Sequence, residues 1–203
     1  MIKTVSVQVP GLTPALTLKP NGTYTTNVSV STPTVMELNL TTPNYTDTFY
    51  TLFVSVPPAS GPRVKICSIQ VAYEGVNVPC YNPQPPVYVS SDGSANYDSV
   101  IWKLGRILNT GQRAYNEDPQ ANVIKFLVIV QPLNTAVNLP GNTMIIKAAV
   151  DYGLSGLSKL INSPTLTVVT PSVGSMVTVS STLFTTCYLV QLHGLISSRF
   201  TLD

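Results

Sequence analysis

The sequence predicts an all-β protein folded as a sandwich, and three observations carry that prediction. Thr, Val and Ser are abundant beside 17 prolines and 12 glycines in 203 residues, the composition of many short strands joined by turns. Apolar and polar residues alternate with period two in run after run, spaced about ten residues apart with turn residues between, as in a sandwich. Helix signals are sparse. Charged residues make up 10% of the chain, below the usual ~25%, and the 44% hydrophobic content is enough for a packed core. The net charge of +2 supplies neither a basic field for nucleic acid nor an acidic tail.

Taken in order, "KTVSVQV" is a strand stopped by Pro10. "ALTLKPNGTYTTNVSVST" holds two alternating runs around the Pro20-Asn21-Gly22 turn. "TVMELNLTT" alternates and ends at Pro43, whereas "DTFYTLFVSV" is apolar almost throughout, as an inner strand is. "RVKICSIQVAY" alternates again and offers Val64, Ile66 and Ile69 to the core, which suggests a bulge near Cys67. A proline-rich connection then runs to a turn at Asp92-Gly93. "SVIWKLGRI" places Val100, Trp102 and Leu104 on one face before Gly105 interrupts it, and a polar loop surrounds Asn109-Thr110-Gly111. "NVIKFLVIVQPL" is the most hydrophobic strand, and "TMIIKAAVDYG" is another. "LSGLSKLIN" is expected to form a short helical turn before Pro164, after which "TLTVVTPSVGSMVTVSS" resumes the strand pattern.

Trp102, the only tryptophan, stands between apolar alternate neighbours, so its face is a core face; a ligand-stacking tryptophan more often stands among polar residues. The segments 4–13 and 165–174 share a β-branched alternation with a proline at nearly the same place, which suggests that the end of the chain begins a second copy of the opening strands. The expected organisation is a sandwich over 1–160, followed by C-terminal strands over 161–203. Those strands either complete its sheet, start the next repeat or are donated to a neighbour.

Residues 1–20 contain no apolar core of signal-peptide type, and the longest apolar run, 123–130, is too short to cross a bilayer and carries Lys125. An extracellular setting is nevertheless suggested by four glycosylation sequons at Asn21, Asn27, Asn39 and Asn44. Composition alone would produce roughly three such triplets, so their crowding near the start is the signal. Cys67 and Cys80 flank a strand-turn-strand segment with its turn at Glu74-Gly75. A disulfide there would close a short loop worth ~3 kcal/mol, and the alternative is a pair of buried thiols. Cys187 is the odd cysteine, either buried or paired outside this sequence.

The ordered series "DSVIWKLGRILNTG", "NVIKFLVIVQPLN" and "NTMIIKAAVDYG" resembles the second half of the tandem-repeat family known as domain of unknown function eleven, over roughly residues 5–153. The animal branch of that family also has a paired-cysteine segment similar to "ICSIQVAYEGVNVPC" and an aspartate-glycine turn. The polar insertion "RAYNEDPQA" departs from its pattern. The resemblance implies an immunoglobulin-like sandwich recurring in secreted or surface arrays, without catalytic residues.

The residues themselves point away from catalysis. His193 stands alone in an apolar segment without a nucleophile elbow, and three scattered cysteines with one histidine do not make a zinc site. No glycine-rich phosphate loop occurs. Calcium is the one cofactor with a case: Asp92, Asn96 and Asp98 form one oxygen-rich group, and Asn116, Glu117 and Asp118 another, although neither follows a defined calcium loop. Arg63, Lys65, Lys103, Arg106 and Arg113 are scattered over strand faces and form no nucleic-acid stripe. The leading expectation is a glycosylated structural or adhesive extracellular module that associates with itself or neighbouring repeats. A module binding glycan or protein through loops near Tyr97, Tyr115 and Tyr152 is the second, and a capsid-like jelly roll, suited to the Met1 start, is the third.

Overall fold

The computed structural model describes residues 13–22, 25–57, 64–79, 83–113, 117–153 and 157–170. The expectations for residues 1–12 and 171–203, and for Cys80, Tyr115, Asn116, Cys187 and His193, lie outside the described residues. Among the described residues there is no helix, and the strands form three sheets.

The four-stranded sheet runs β1 (Ala15–Pro20), β3 (Thr34–Thr41), β8 (Val123–Pro132), β5 (Val64–Glu74). The five-stranded sheet runs β11 (Leu157–Asn162), β10 (Lys147–Tyr152), β4 (Asp47–Ser55), β7 (Ser99–Leu108), β6 (Val87–Val89). Every pairing in both is antiparallel. A small third sheet sets β12 (Leu166–Val169) parallel to β2 (Asn27–Ser29) and antiparallel to β9 (Thr143–Met144).

This order is immunoglobulin-like. Taking β1, β3, β4, β5, β8, β10 and β11 as strands A to G, the sheets read A-B-E-D and G-F-C, the constant-type arrangement. The departure is β6–β7, inserted between D and E and added to the outer side of C. Trp102 lies on that inserted β7, so it is a core tryptophan from a different strand than the one that carries it in antibody domains.

Alternation makes the core. Met36, Leu38 and Leu40 of β3 and Ile124, Phe126 and Val128 of β8 face Tyr50, Leu52, Leu104 and Val150 of the other sheet, all nearly or fully buried. Trp102 is 7% exposed, meets Phe126 edge-on at 5.5 Å between ring centroids, and donates its indole N–H to the Gln84 carbonyl at 2.6 Å. Its apolar body is thus buried with its one polar atom satisfied.

Bulges correct the alternation where it would fail. On β5 the register shifts between Ile66 and Ser68, leaving Cys67 as the extra, exposed residue, and the core resumes at Ile69. On β7 Leu104 is the extra residue opposite the Tyr50–Thr51 step, and Gly105 takes a φ of +80°, which a side chain would resist. Gly105 therefore bends the strand without ending it.

Three expectations are corrected. "LSGLSKLIN" contributes strand β11 over Leu157–Asn162, not a helical turn: its apolar spacing suits a helix, but the free edge of β10 offers a full ladder of hydrogen bonds. "TMIIKAAVDYG" is split, with Thr143–Met144 in the small sheet and Lys147–Tyr152 beside β4. The segment after Gly75 turns at Val76-Asn77, just past the expected Glu74-Gly75, and Val78 and Pro79 are not in a strand.

One end of the sandwich is tied by buried amides. Asn77 Nδ2 donates to Asn122 Oδ1 at 2.8 Å and to the Arg113 carbonyl at 3.0 Å, while Arg113 N–H donates back to Asn77 Oδ1. Asn122 Nδ2 reaches Asn44 Oδ1, and Asn109 Nδ2 donates to Thr42 Oγ1 at 2.9 Å. Tyr45 lies over Gly111, where a Cβ would meet its ring at 2.6 Å, and donates its hydroxyl to the Gly111 carbonyl. Three loops are thereby joined with their buried polar atoms paired.

Trp102→Ala is expected to lower unfolding free energy by about 3–5 kcal/mol in a denaturant titration, through lost contact and a residual cavity. Asn109→Ala strands the Thr42 acceptors and is expected to cost about 1–3 kcal/mol. A change under half that range at Asn109 would show that the loops hold without the amide clasp.

Candidate interaction surface

The two outer faces of the sandwich differ in chemistry. On the four-stranded sheet the rows Lys19–Glu37–Leu127–Gln70 and Thr17–Asn39–Lys125–Tyr73 are mainly polar. Glu37 is held between Lys19 at 3.3 Å and Lys125 at 3.5 Å and accepts from Asn39 Nδ2 at 3.0 Å. Burial opposes its charge, but the Asn39 hydrogen bond and the two lysines prevail and keep its pKa below the usual carboxylate value.

The five-stranded sheet presents the opposite. Its register aligns Leu160, Ala149, Phe53, Ile101 and Val87 in one row that crosses all five strands on the face away from the core. Leu160 and Val87, at the two ends, are 60% and 59% exposed. Phe53, Ile101 and Ala149 between them are half-buried by their neighbours. Mainly polar rows flank it on either side: Asn162–Lys147–Ser55–Ser99, ending at Val89 of β6, and Ser158–Asp151–Thr51–Lys103. Further along the same face, Phe49 is 55% exposed beside the Arg106–Asp47 ion pair. The Arg106 hydrogen bond holds the Asp47 carboxyl below its ordinary range. A continuous apolar row rimmed by polar residues is the pattern of a protein-docking surface.

The strand edges are less available. Where β5 leaves its ladder, Ile66 N–H donates to the Tyr97 carbonyl at 2.7 Å and Ile69 N–H to the Tyr88 hydroxyl at 3.2 Å. The β5 edge is thus met at Ile66 and Ile69 by Tyr97 and Tyr88, β6 is only three residues long, and β1 lies against β10 and β11.

The residues expected from sequence fall as follows. Asn21, Asn27 and Asn44 are exposed, while the amide nitrogen of Asn39, the atom an N-glycan would occupy, is engaged by Glu37. Cys67 is an exposed free thiol, 3.8 Å from Gln131 Oε1, on the outward bulge of β5; Cys80 lies outside the described residues. Asp92 accepts from Ser90 Oγ and Ser94 N–H, and Asp98 is buried and accepts from Ser91 and Ser99. Asp118 accepts from Gln120 N–H, and Glu117 is exposed nearby. The three aspartates organise their own turns, and among the described residues no three or more His, Cys, Asp or Glu side chains gather as for a metal. Tyr97 is 41% exposed with its ring 5.8 Å from that of Tyr88, while Tyr152 packs against the core.

The apolar row was not singled out by the sequence. Its only signal there is that "DTFYTLFVSV" is apolar on both faces; alignment of Phe53 with residues about fifty and about a hundred positions away is a product of register.

No family model and no curated protein matches the chain. Among solved structures, it is similar to a membrane-anchored protein from Corynebacterium diphtheriae at 15% identity and TM-score 0.45, covering 84% of this chain and 39% of that one. A cohesin module of a Clostridium perfringens family 33 glycoside hydrolase aligns at 11% identity and TM-score 0.41, over 79% and 100% of the two chains. The major subunit of aggregative adherence fimbriae type I from Escherichia coli aligns at 18% identity and TM-score 0.35, over 82% and 100%. No helix among the described residues is long and apolar enough to cross a membrane.

The serine hydrogen bonds to Asp92 lower its pKa from 3.8 to about 2. A carboxylate depressed on folding stabilises the loop above the unfolded value and loses that contribution as pH falls toward the folded one. Titration of Asp92 by carboxyl-carbon NMR is therefore expected to show a midpoint near 2, with the loop shifts following the same midpoint and the stability contribution lost between pH 3.8 and that point. Asp92→Asn should abolish those shifts.

Proposed function

We propose that this protein is a non-enzymatic module of an extracellular or cell-surface structure, working through adhesion or self-association. The observation that carries the reading is the apolar row crossing the outer face of the five-stranded sheet. The contacts at Ile66 and Ile69 of the β5 edge and the shortness of β6 favour face-on docking over open-ended strand pairing. Asp92, Asp98 and Asp118 are engaged in turns, and Glu37 and Asp47 in ion pairs. The resemblance to the tandem-repeat family supports a role as one unit of an array, with glycans at the exposed Asn21, Asn27 and Asn44.

Surface exposure is the test. Protease treatment of intact source cells is expected to release or cleave the protein, and its intact mass should fall on glycosidase treatment. Full protection on intact cells together with a bare mass would overturn the reading.

A further inference from the structure

The outer face of the five-stranded sheet has a charge pattern that is complementary to itself. Lys147, Ala149 and Asp151 are successive outward residues of β10, so a lysine and an aspartate flank the apolar row at equal distance on opposite sides. On β4 the equivalent pair is Ser55 and Thr51, on β11 Asn162 and Ser158, and on β7 Ser99 and Lys103. None of Lys147, Asp151 and Lys103 is ion-paired with another described residue.

We infer that a second copy of this chain packs against this face, related by a two-fold axis lying along the row. This rests on the reading of the protein as a self-associating module and names its partner and geometry. A rotation about that axis exchanges the two polar flanks while keeping each strand opposite its own equivalent. Leu160, Ala149, Phe53, Ile101 and Val87 then meet their own kind. Each Lys147 faces the partner's Asp151, and each Asp151 the partner's Lys147. Ser55 meets a threonine, Asn162 meets a serine, and Lys103 meets a serine. No like charges oppose, and no polar residue of these rows is set against an apolar one.

An axis along β4, the middle strand, is the competing arrangement. It sets Asp151 against the partner's Lys103 but also lays Asn162 on the partner's Val89. The row axis is free of that mismatch.

The size of the face is also appropriate. Five strands at ~4.8 Å and four outward rows on β4 at ~6.8 Å cover roughly 650 Å², comparable with the ~800 Å² per partner of a standard interface. Sheets packed in this way keep their strands within ~30° of alignment. An isologous contact of this kind closes as a dimer and uses the face once.

The test is sedimentation equilibrium of the full chain from micromolar to hundreds of micromolar, with circular dichroism confirming that each variant is folded. The wild type is expected to dimerise. Ile101→Lys should abolish dimerisation, and Asp151→Lys should weaken it about tenfold or more by facing lysine with lysine. The double variant Lys147→Asp with Asp151→Lys should recover the wild-type constant, because the pair is exchanged. Recovery by Lys103→Asp with Asp151→Lys instead would overturn the row axis. A wild-type monomer at every concentration, or a dimer indifferent to all these changes, would overturn the proposal. Either failure leaves surface exposure on cells untouched, so it is separable from failure of the functional reading.

Discussion

Register is the constraint on which the rest of this structure depends. Side chains alternate across a strand, so a slip of one residue would turn the core face of β8, with Ile124, Phe126 and Val128, toward water. Long strands accumulate such errors wherever the apolar spacing departs from two. The chain absorbs them with single extra residues: Cys67 lets the core step from Ile66 to Ile69, and Leu104 with Gly105 lets it step from Leu104 to Ile107. Both bulges act locally, so Trp102 stays opposite Phe126 across the sandwich. The outward apolar row depends on the same registers, and a slip would dismantle it together with the core.

Polar atoms are the second demand, because a sandwich must end its loops somewhere and buried amides are costly unless paired. Here asparagines meet that demand. Asn77, Asn109 and Asn122 are buried, and their bonds to one another, to Thr42 and to loop backbone join three connections that are distant in sequence. Asp92 and Asp98 do equivalent work at the 90–98 loop, which also meets the edge of β5 at Ile66. With the first half of the β5 edge met by Tyr97 and Tyr88, the outer sheet faces offer the broader surfaces for contact. They divide the labour by chemistry: the four-stranded sheet carries the Lys19–Glu37–Lys125 cluster, and the five-stranded sheet carries the apolar row.

Much of the fold was legible along the chain because it is written in short-range patterns. Alternation located β1, β3, β5 and β7, apolar runs located β4 and β8, the Pro20-Asn21-Gly22 and Asp92-Gly93 turns stand between strands, and the bulge at Cys67 accompanies the spacing of Val64, Ile66 and Ile69. Trp102 was placed in the core from its neighbours alone. Reading failed where local preference and tertiary opportunity diverge. Leu157–Asn162 has helical spacing yet pairs with β10, and the Thr143–Tyr152 run divides between two sheets because Ile146 is drawn into the core between them.

The sequence by itself determined which residues alternate, where the chain must turn, and therefore that it is a sandwich with a tryptophan inside. These are properties of neighbours, and neighbours are adjacent in the text. Only the tertiary structure decided which strands lie side by side, and with that the insertion of β6–β7 beside β4, the asparagine clasp, and the row from Leu160 to Val87. Phe53, Ile101 and Ala149 are unremarkable in their own strands; hydrogen-bond register between distant segments makes them a surface.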